Sequence, residues 1–316
     1  MSYSAKVKNE LVRLPAQDDG EQVAQLAGIA RMDGSILIGS GKRIALVLVS
    51  ENAAVARQAY SWLRNLFHLQ ARIEIQRNTK LKKNIRYVVR VPGQPRLKTA
   101  LTTLGMMNDE GLLFRSDIAP EFTDRDHVRR AYLRGIFLGS GSLTDPQRSY
   151  HLELVTQSEE FAEQISALII GYGIEFRMSY RKENCVLYLK ESEQISDFLA
   201  LVGAHEAVMD LENVRVAKGV RNKVNRLVNC ETANMNKAID AALRQVEMIE
   251  AIKVHGDFDK LPRALQQVAN LRLQAPEASL KELGELCDPP IGKSGINHRM
   301  RRLTEFAKKM GLDGLD

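Results

Sequence analysis

Cysteine is scarce in this chain: Cys185, Cys230 and Cys287 are the only three in 316 residues, far apart and never in C-x-x-C spacing. That argues against a thiolate zinc site and suits a reducing compartment. Long apolar runs are missing as well. The longest, "IALVLV" at 44–49, has the length of a strand, and no apolar stretch opens the chain. A membrane-crossing helix needs about 20 apolar residues, so neither a span nor an export signal is expected, and the cytoplasm is the expected location. A strong charge excess is absent too. The formal net charge of +6 is mild and by itself supports an anionic partner only weakly. What is present is the composition of a soluble globular protein, 44% hydrophobic and 27% charged. At this length two or three domains are expected.

Hydrophobic periodicity orders the first two hundred residues. Val7, Leu11 and Leu14 mark a helix ending at Pro15, and residues 21–32 form a second. Two alternating strands, "SILIG" and "RIALVLVS", follow across a Gly-Lys turn, then a helix over about 52–68. Strands near 71–77 and 85–91 and a helix from Gln94 close the unit. The order then recurs: helix 126–138, a strand near Ser142, "YHLELVT", helix 158–171 with Thr156 and Glu159 spaced as a capping box, "IEFRMSY", "CVLYLK" and a helix over 192–202. Gly28 aligns with Gly135 and Gly34 with Gly141, and "LQAR" at 69–72 with "IEFR" at 174–177. Each unit reads α-β-β-α-β-β-α, which predicts two similar halves, about 1–106 and 107–203, packed around a pseudo-two-fold axis. Residues 204–258 read as a basic helical linker, and 259–316 as a compact all-helical segment.

Ala24 and Gly28 sit four apart on one helix, as do Ala131, Gly135 and Gly139 on its counterpart. Small residues at that spacing make flat stripes, and the duplication predicts that the stripes face each other. On these residues, with "LAGIARMDG" at 26–34 and "LRGIFLGSG" at 133–141, the chain resembles the LAGLIDADG homing-endonuclease fold. The resemblance implies a saddle-shaped β-platform whose two central helices each end in an acid that holds divalent metal. A carboxylate at a helix C-terminus is disfavoured by roughly 0.3–1 kcal/mol, and a bound metal ion reverses that cost. Asp33 matches the first acid, but Ser140 stands where the second belongs. A hydroxyl brings no charge, so the expectation is no metal, no cofactor and no catalytic residue, with Asp33 vestigial. Asp33-Gly34 also reads as a plain turn opening the hairpin.

Basic residues gather in two places. Residues 72–98 hold Arg72, Arg77, Lys80, Lys82, Lys83, Arg86, Arg90, Arg96 and Lys98 against Glu74 alone. Lys80, Lys82 and Lys83 fall in a hairpin turn, where two readings stand side by side: phosphate contact and a merely solvated tip. The second run, "RNKVNRLVNCETAN" at 221–234, is rich in Asn, a poor helix former. Arg221, Asn225 and Asn229 share one helical face, with Arg226 nearby. That face suits phosphates or base edges, and equally a polar seam anchored by Val224 and Leu227.

The C-terminal segment predicts three helices. Leu261, Leu265, Val268 and Leu271 mark the buried face of the first, behind Pro262; Ser279 caps a second with Leu280, Leu283 and Leu286 inward; and Ser294 caps a third reaching about Lys309. On that last helix Ile296, Met300, Leu303, Ala307 and Met310 form one stripe, while His298, Arg301, Arg302 and Glu305 point away, with Arg299 at the margin and Asn297 on the other flank. A short helix, a turn and a helix exposing Asn, His and Arg in its first turns is the helix-turn-helix arrangement. A solvated helix in an interaction domain is the plainer alternative, and ten Lys and Arg against eight Asp and Glu in 259–316 make no case by charge alone.

The degenerate platform, the "NRLVNCETAN" linker and the "GKSGINHRMRRL" helix together resemble the WhiA family over essentially the whole chain. The expectation is an α+β fold: a duplicated LAGLIDADG-like saddle at 1–203, a linker at 204–258 and a helix-turn-helix domain at 259–316. The resemblance implies a nucleoid-associated regulator of sporulation genes, or of cell division and chromosome segregation. Its expected partners are double-stranded DNA and another regulatory protein, with no membrane. Asn297, His298, Arg301 and Arg302 are the expected base contacts. Lys293, Ser294 and Arg299 are the expected phosphate contacts, supplemented by Arg221, Asn225, Arg226 and Asn229. Two alternatives compete with this reading: a metal-dependent endonuclease or nickase acting through Asp33, and a platform that serves only as a protein-interaction scaffold.

Overall fold

The computed structural model describes residues 2–39, 44–77, 85–108 and 114–312, which fall into two compact units, Met1–Lys218 and Gly219–Asp316. In the first, α1 (Tyr3–Val12) is followed by α2 (Asp19–Asp33), β1 (Gly34–Ile38), β2 (Ile44–Ser50), α3 (Ala53–Asn65), β3 (Arg72–Arg77), β4 (Ile85–Val91) and α4 (Pro95–Thr103). The order repeats as α5 (Asp126–Ser140), β5 (Ser142–Leu143), β6 (Leu152–Thr156), α6 (Glu159–Ile170), β7 (Arg177–Arg181), β8 (Asn184–Leu189) and α7 (Ser192–Val202). Both halves build a four-stranded antiparallel sheet of one topology, β1-β2-β4-β3 and β5-β6-β8-β7. Arg72 opens β3 opposite Arg90 and Arg177 opens β7 opposite Tyr188, the equivalence that "LQAR" and "IEFR" predict. The duplicated α+β architecture is therefore as expected.

Local chemistry sets the helix starts. Asp18 caps α2 by accepting from the Glu21 N–H, with Asp19 and Glu21 in its first turn, where negative charge favours the dipole. Asn52 caps α3 in the same way. Thr156 is not the cap of α6. Ser158 is, accepting from the Phe161 N–H, while Thr156 Oγ1 accepts from the Ser158 N–H one step earlier.

Helices α2 and α5 form the spine, and they touch backbone to backbone. A Cβ on Gly28 would lie 2.4 Å from the Tyr132 carbonyl oxygen, and one on Gly135 2.1 Å from that of Gln25. Ala24 and Ala131 are fully buried beside them, so the small-residue stripes do face each other. Leu26, Ile29, Leu133, Ile136 and Phe137 fill the space around the crossing. One polar thread runs through this core: Arg134 donates to Val202 O and Gln25 Oε1, Gln25 Nε2 to Gln58 Oε1, and Gln58 Nε2 to Val12 O. Apolar periodicity gave no sign of it.

The Asp33-Gly34 pair makes no turn. Gly34 is extended (φ −91°, ψ 146°), and α2 passes directly into β1. Its glycine is required by crowding, since a Cβ would lie 2.0 Å from the Ala30 carbonyl oxygen.

The long helix α8 (His205–Val254) belongs partly to each unit. The division by contact falls at 218/219, inside α8, whereas the sequence limits near 203 and 258 sit at its two ends. In the second unit, Met248, Ile249 and Ile252 of α8 join Leu265 and Val268 of α9 (Arg263–Gln274), Leu283 of α10 (Leu280–Glu285), and Ile296, Met300 and Leu303 of α11 (Lys293–Lys309) in one core.

Candidate nucleic-acid interface

The second unit presents α11 on a scaffold fixed by α9 and α10. Ser279 caps α10 in a full capping box, its hydroxyl accepting from the Glu282 N–H while Glu282 Oε2 accepts from the Ser279 N–H. Helix α10 lasts only six residues, which changes the expected packing. Leu283 is buried, but Leu286 lies beyond the last turn and is 56% exposed. Cys287 goes inward instead, its Sγ–H donating to Leu283 O. The chain then folds back over α10, where the Ile291 N–H donates to Gly284 O at 3.0 Å. A Cβ at 284 would stand 2.2 Å from the Ile291 carbonyl oxygen, so the turn closes only over glycine. Gly292, not Ser294, is the N-cap of α11. Ser294 sits one residue into the helix, exposed beside Lys293.

Ile296, Met300, Leu303 and Ala307 of α11 are buried, and Met310 just past its end is half-buried. With that stripe turned inward, Asn297, His298, Arg301 and Arg302 are exposed, and Arg299 is half-buried at the margin. His298, Arg301, Arg302 and Glu305 follow the i, i+3, i+4, i+7 spacing of one face, and Asn297 stands four residues before Arg301. Three amide and guanidinium side chains thus project from the first turns together with an imidazole, the donor set that reads base edges in a major groove. Lys293 and Ser294 stand at the helix N-terminus, where free N–H groups and the dipole favour phosphate.

One buried charge supports this unit. Arg272 of α9 is 2% exposed, its Nη1 donating to Ala278 O at 2.5 Å and Pro276 O at 3.3 Å. It ties the α9–α10 loop to α9, and burial pulls its guanidinium pKa below the usual value.

Arg221, Asn225, Arg226 and Asn229 are all exposed on α8. Val224 and Leu227 are also exposed, at 52% and 60%, so they anchor no seam within the described structure, and Cys230 beside them is exposed as well. Lys80, Lys82 and Lys83 lie outside the described residues.

On the platform, Asp33 and Ser140 meet at the ends of α2 and α5 and line two open clefts together. Ser140 Oγ accepts from the Val155 N–H at 3.3 Å, and Asp145 is engaged in its own loop, accepting from the Gln147 N–H. Asp33 Oδ2 is buried without a hydrogen-bond partner. Burial pushes the Asp33 pKa up to about 7, against the pull of Lys8, with Glu51 adding to the rise and the Ser50 hydroxyl opposing it. Lys8 of α1 donates from Nζ to Gly139 O at 3.0 Å, and burial lowers its pKa despite Asp33 and Glu51. No group of three or more His, Cys, Asp or Glu able to hold a metal occurs among the described residues.

Sequence reasoning missed Lys8, Arg272 and Gly284. Arg272 carried a weak signal, one charge on a face otherwise spaced for burial (Leu265, Val268 and Ala269). Lys8 carried none, because its partner lies 131 residues away.

Comparison with known proteins covers almost the whole chain. Residues 19–107 match the model of the WhiA N-terminal LAGLIDADG-like domain, 129–221 that of the WhiA LAGLIDADG-like domain and 224–307 that of the WhiA C-terminal HTH domain. The chain is 46% identical over 310 residues to the probable cell division protein WhiA of Desulforamulus reducens, covering 98% of this chain and 96% of that protein. It is 44% identical to the protein of the same name from Heliobacterium modesticaldum, covering 99% and 98%. In fold it resembles the crystal structure of full-length WhiA from Thermatoga maritima, with a TM-score of 0.59 at 24% identity over 98% of this chain and 99% of that one. An isolated N-terminal LAGLIDADG domain of WhiA matches with a TM-score of 0.50 at 22% identity, covering 64% and 90%.

Proposed function

The chain belongs to the WhiA family, and from that premise we propose that it is a non-enzymatic, sequence-specific DNA-binding regulator acting in cell division, chromosome segregation or sporulation. The observation that carries this reading is α11: a buried apolar stripe with Asn297, His298, Arg301 and Arg302 on its exposed side. In the proposed mode these four side chains reach base edges in the major groove, and Lys293, Ser294 and Arg299 fix the register on phosphates. Arg221, Asn225, Arg226 and Asn229 of α8 add backbone contacts that carry no sequence information. Double-stranded DNA is the partner, and nucleoid association follows from it. No helix among the described residues is long and apolar enough to cross a membrane.

The test is selection from a pool of random duplexes by the full-length protein, in Mg²⁺, with recovered DNA checked for strand breaks. The reading expects one enriched motif, lost in the Arg301→Ala, Arg302→Ala double variant, and intact DNA. No enrichment would leave the platform as a protein-interaction scaffold for another regulatory protein. Breaks that vanish in Asp33→Ala would instead make the chain a nickase.

A further inference from the structure

We propose that Lys8 is a built-in counter-ion: its ammonium takes, at the paired ends of α2 and α5, the electrostatic place of a divalent metal ion, and so keeps such an ion out. The C-terminal ends of two helices converge here, each carrying a partial charge of about half a negative unit from its macrodipole. Asp33 adds a carboxylate whose Oδ2 is buried and unpartnered, and Glu51 stands near enough to act on it. Such a concentration of negative potential calls for a cation.

The polypeptide supplies one. Val7 and Leu11 are buried and anchor α1 in the core, and Lys8 between them sends its Nζ to the Gly139 carbonyl, one residue before Ser140. Lys8, Asp33, Glu51, Gly139 and Ser140 line the same cleft, which Arg86 also lines; Lys8 is the cation that acts on Asp33, and both acids attract its ammonium.

The residues present do not fit a divalent ion. Mg²⁺ requires near-octahedral oxygen coordination. Here the oxygens at the helix ends are the Asp33 carboxylate, a serine hydroxyl already accepting from Val155 and a carbonyl already accepting from Lys8, and the nearby Glu51 brings only a second carboxylate, short of an octahedral set. The Lys8 ammonium, 3.0 Å from the Gly139 carbonyl oxygen at the end of α5, repels a second cation there directly. Metal chemistry is therefore blocked twice over, by the serine at 140 and by the lysine at 8, and restoring the acid alone does not reopen the site.

The experiment uses the full-length chain, with Mn²⁺ binding followed by electron paramagnetic resonance and Ca²⁺-dependent stabilisation by thermal melting. These readouts do not involve DNA, so they stand or fall apart from the proposed function. Ser140→Asp should bind Mn²⁺ no better than the wild-type chain. Lys8→Met, Ser140→Asp should gain a saturable site at least tenfold tighter, with a higher melting temperature in Ca²⁺. Lys8→Arg, Ser140→Asp keeps the charge and should behave as Ser140→Asp does. Equal Mn²⁺ binding by Ser140→Asp and the folded Lys8→Met double variant overturns the proposal, as does tight binding by the Lys8→Arg variant. Should the methionine variant fail to fold, acylation of amines in the wild-type chain decides. A half-buried ammonium engaged at the helix ends is modified at least tenfold more slowly than the exposed Lys98, and equal rates overturn the proposal.

Discussion

The exposed guanidiniums of α11 are held out by the side chains buried beneath them, so their removal should change recognition without loosening the fold. Arg301→Ala should weaken binding to a selected duplex by about 1–3 kcal/mol while leaving the melting temperature within a degree or two. A gel-shift titration beside a thermal melt separates the two effects. Asp33 carries a prediction of a different kind. Its pKa rises from the ordinary carboxylate range to about 7, first through burial, so the folded state holds a proton that the unfolded chain releases near pH 4. The stability this group contributes is full below pH 4 and declines as pH rises, until it is gone above pH 7. The melting temperature of the wild-type chain relative to Asp33→Asn should accordingly fall between about pH 4 and pH 7. In Lys8→Met the carboxyl loses its attracting cation, and carbon-13 NMR should show its midpoint moving higher still.

Among the elements, Gly135 and Gly284 each stand where a side chain would meet a backbone carbonyl. Ala at 135 would drive a methyl into the Gln25 carbonyl at the crossing of α2 and α5, and separating two backbones in a packed core costs about 1–3 kcal/mol or more. Gly135→Ala should lower the unfolding free energy of the platform by at least that much in urea, with α11 and its DNA affinity untouched if the chain still folds. Ala at 284 meets the Ile291 carbonyl and would displace the turn that seats α11. Gly284→Ala should therefore abolish motif-specific binding while circular dichroism shows the helices retained. The first of these positions was legible, because paired small residues at helical spacing predict close approach. The second was not. Gly284 reads as an ordinary weak point in a short helix until the returning turn is seen above it.

For the whole molecule, affinity for duplex DNA is expected to fall with salt by about 0.9 logarithmic units per neutralised phosphate. Arg221→Ala and Arg226→Ala should each flatten that slope by about one contact and leave the preferred motif unchanged, which fluorescence anisotropy across a salt series measures. The salt series treats the chain as a sum of contacts, and the sequence too is readable mainly as a sum of local patterns. Periods of 2 and 3.6 residues fixed where strands and helices run, which side of α11 is apolar, and the duplication behind two sheets of one topology, since each depends on neighbours a few positions apart. Exposure of Asn297, His298, Arg301 and Arg302 followed from the same wheel. Partners distant along the chain were decided by tertiary structure alone. Lys8 reaches a carbonyl 131 residues away, Arg272 turns inward to hold a loop, and Leu286 turns outward because α10 stops at Glu285. Hydrophobic pattern records how much of a segment must leave water; which polar group waits at the other end of a buried charge depends on the packing of segments that sequence distance keeps apart.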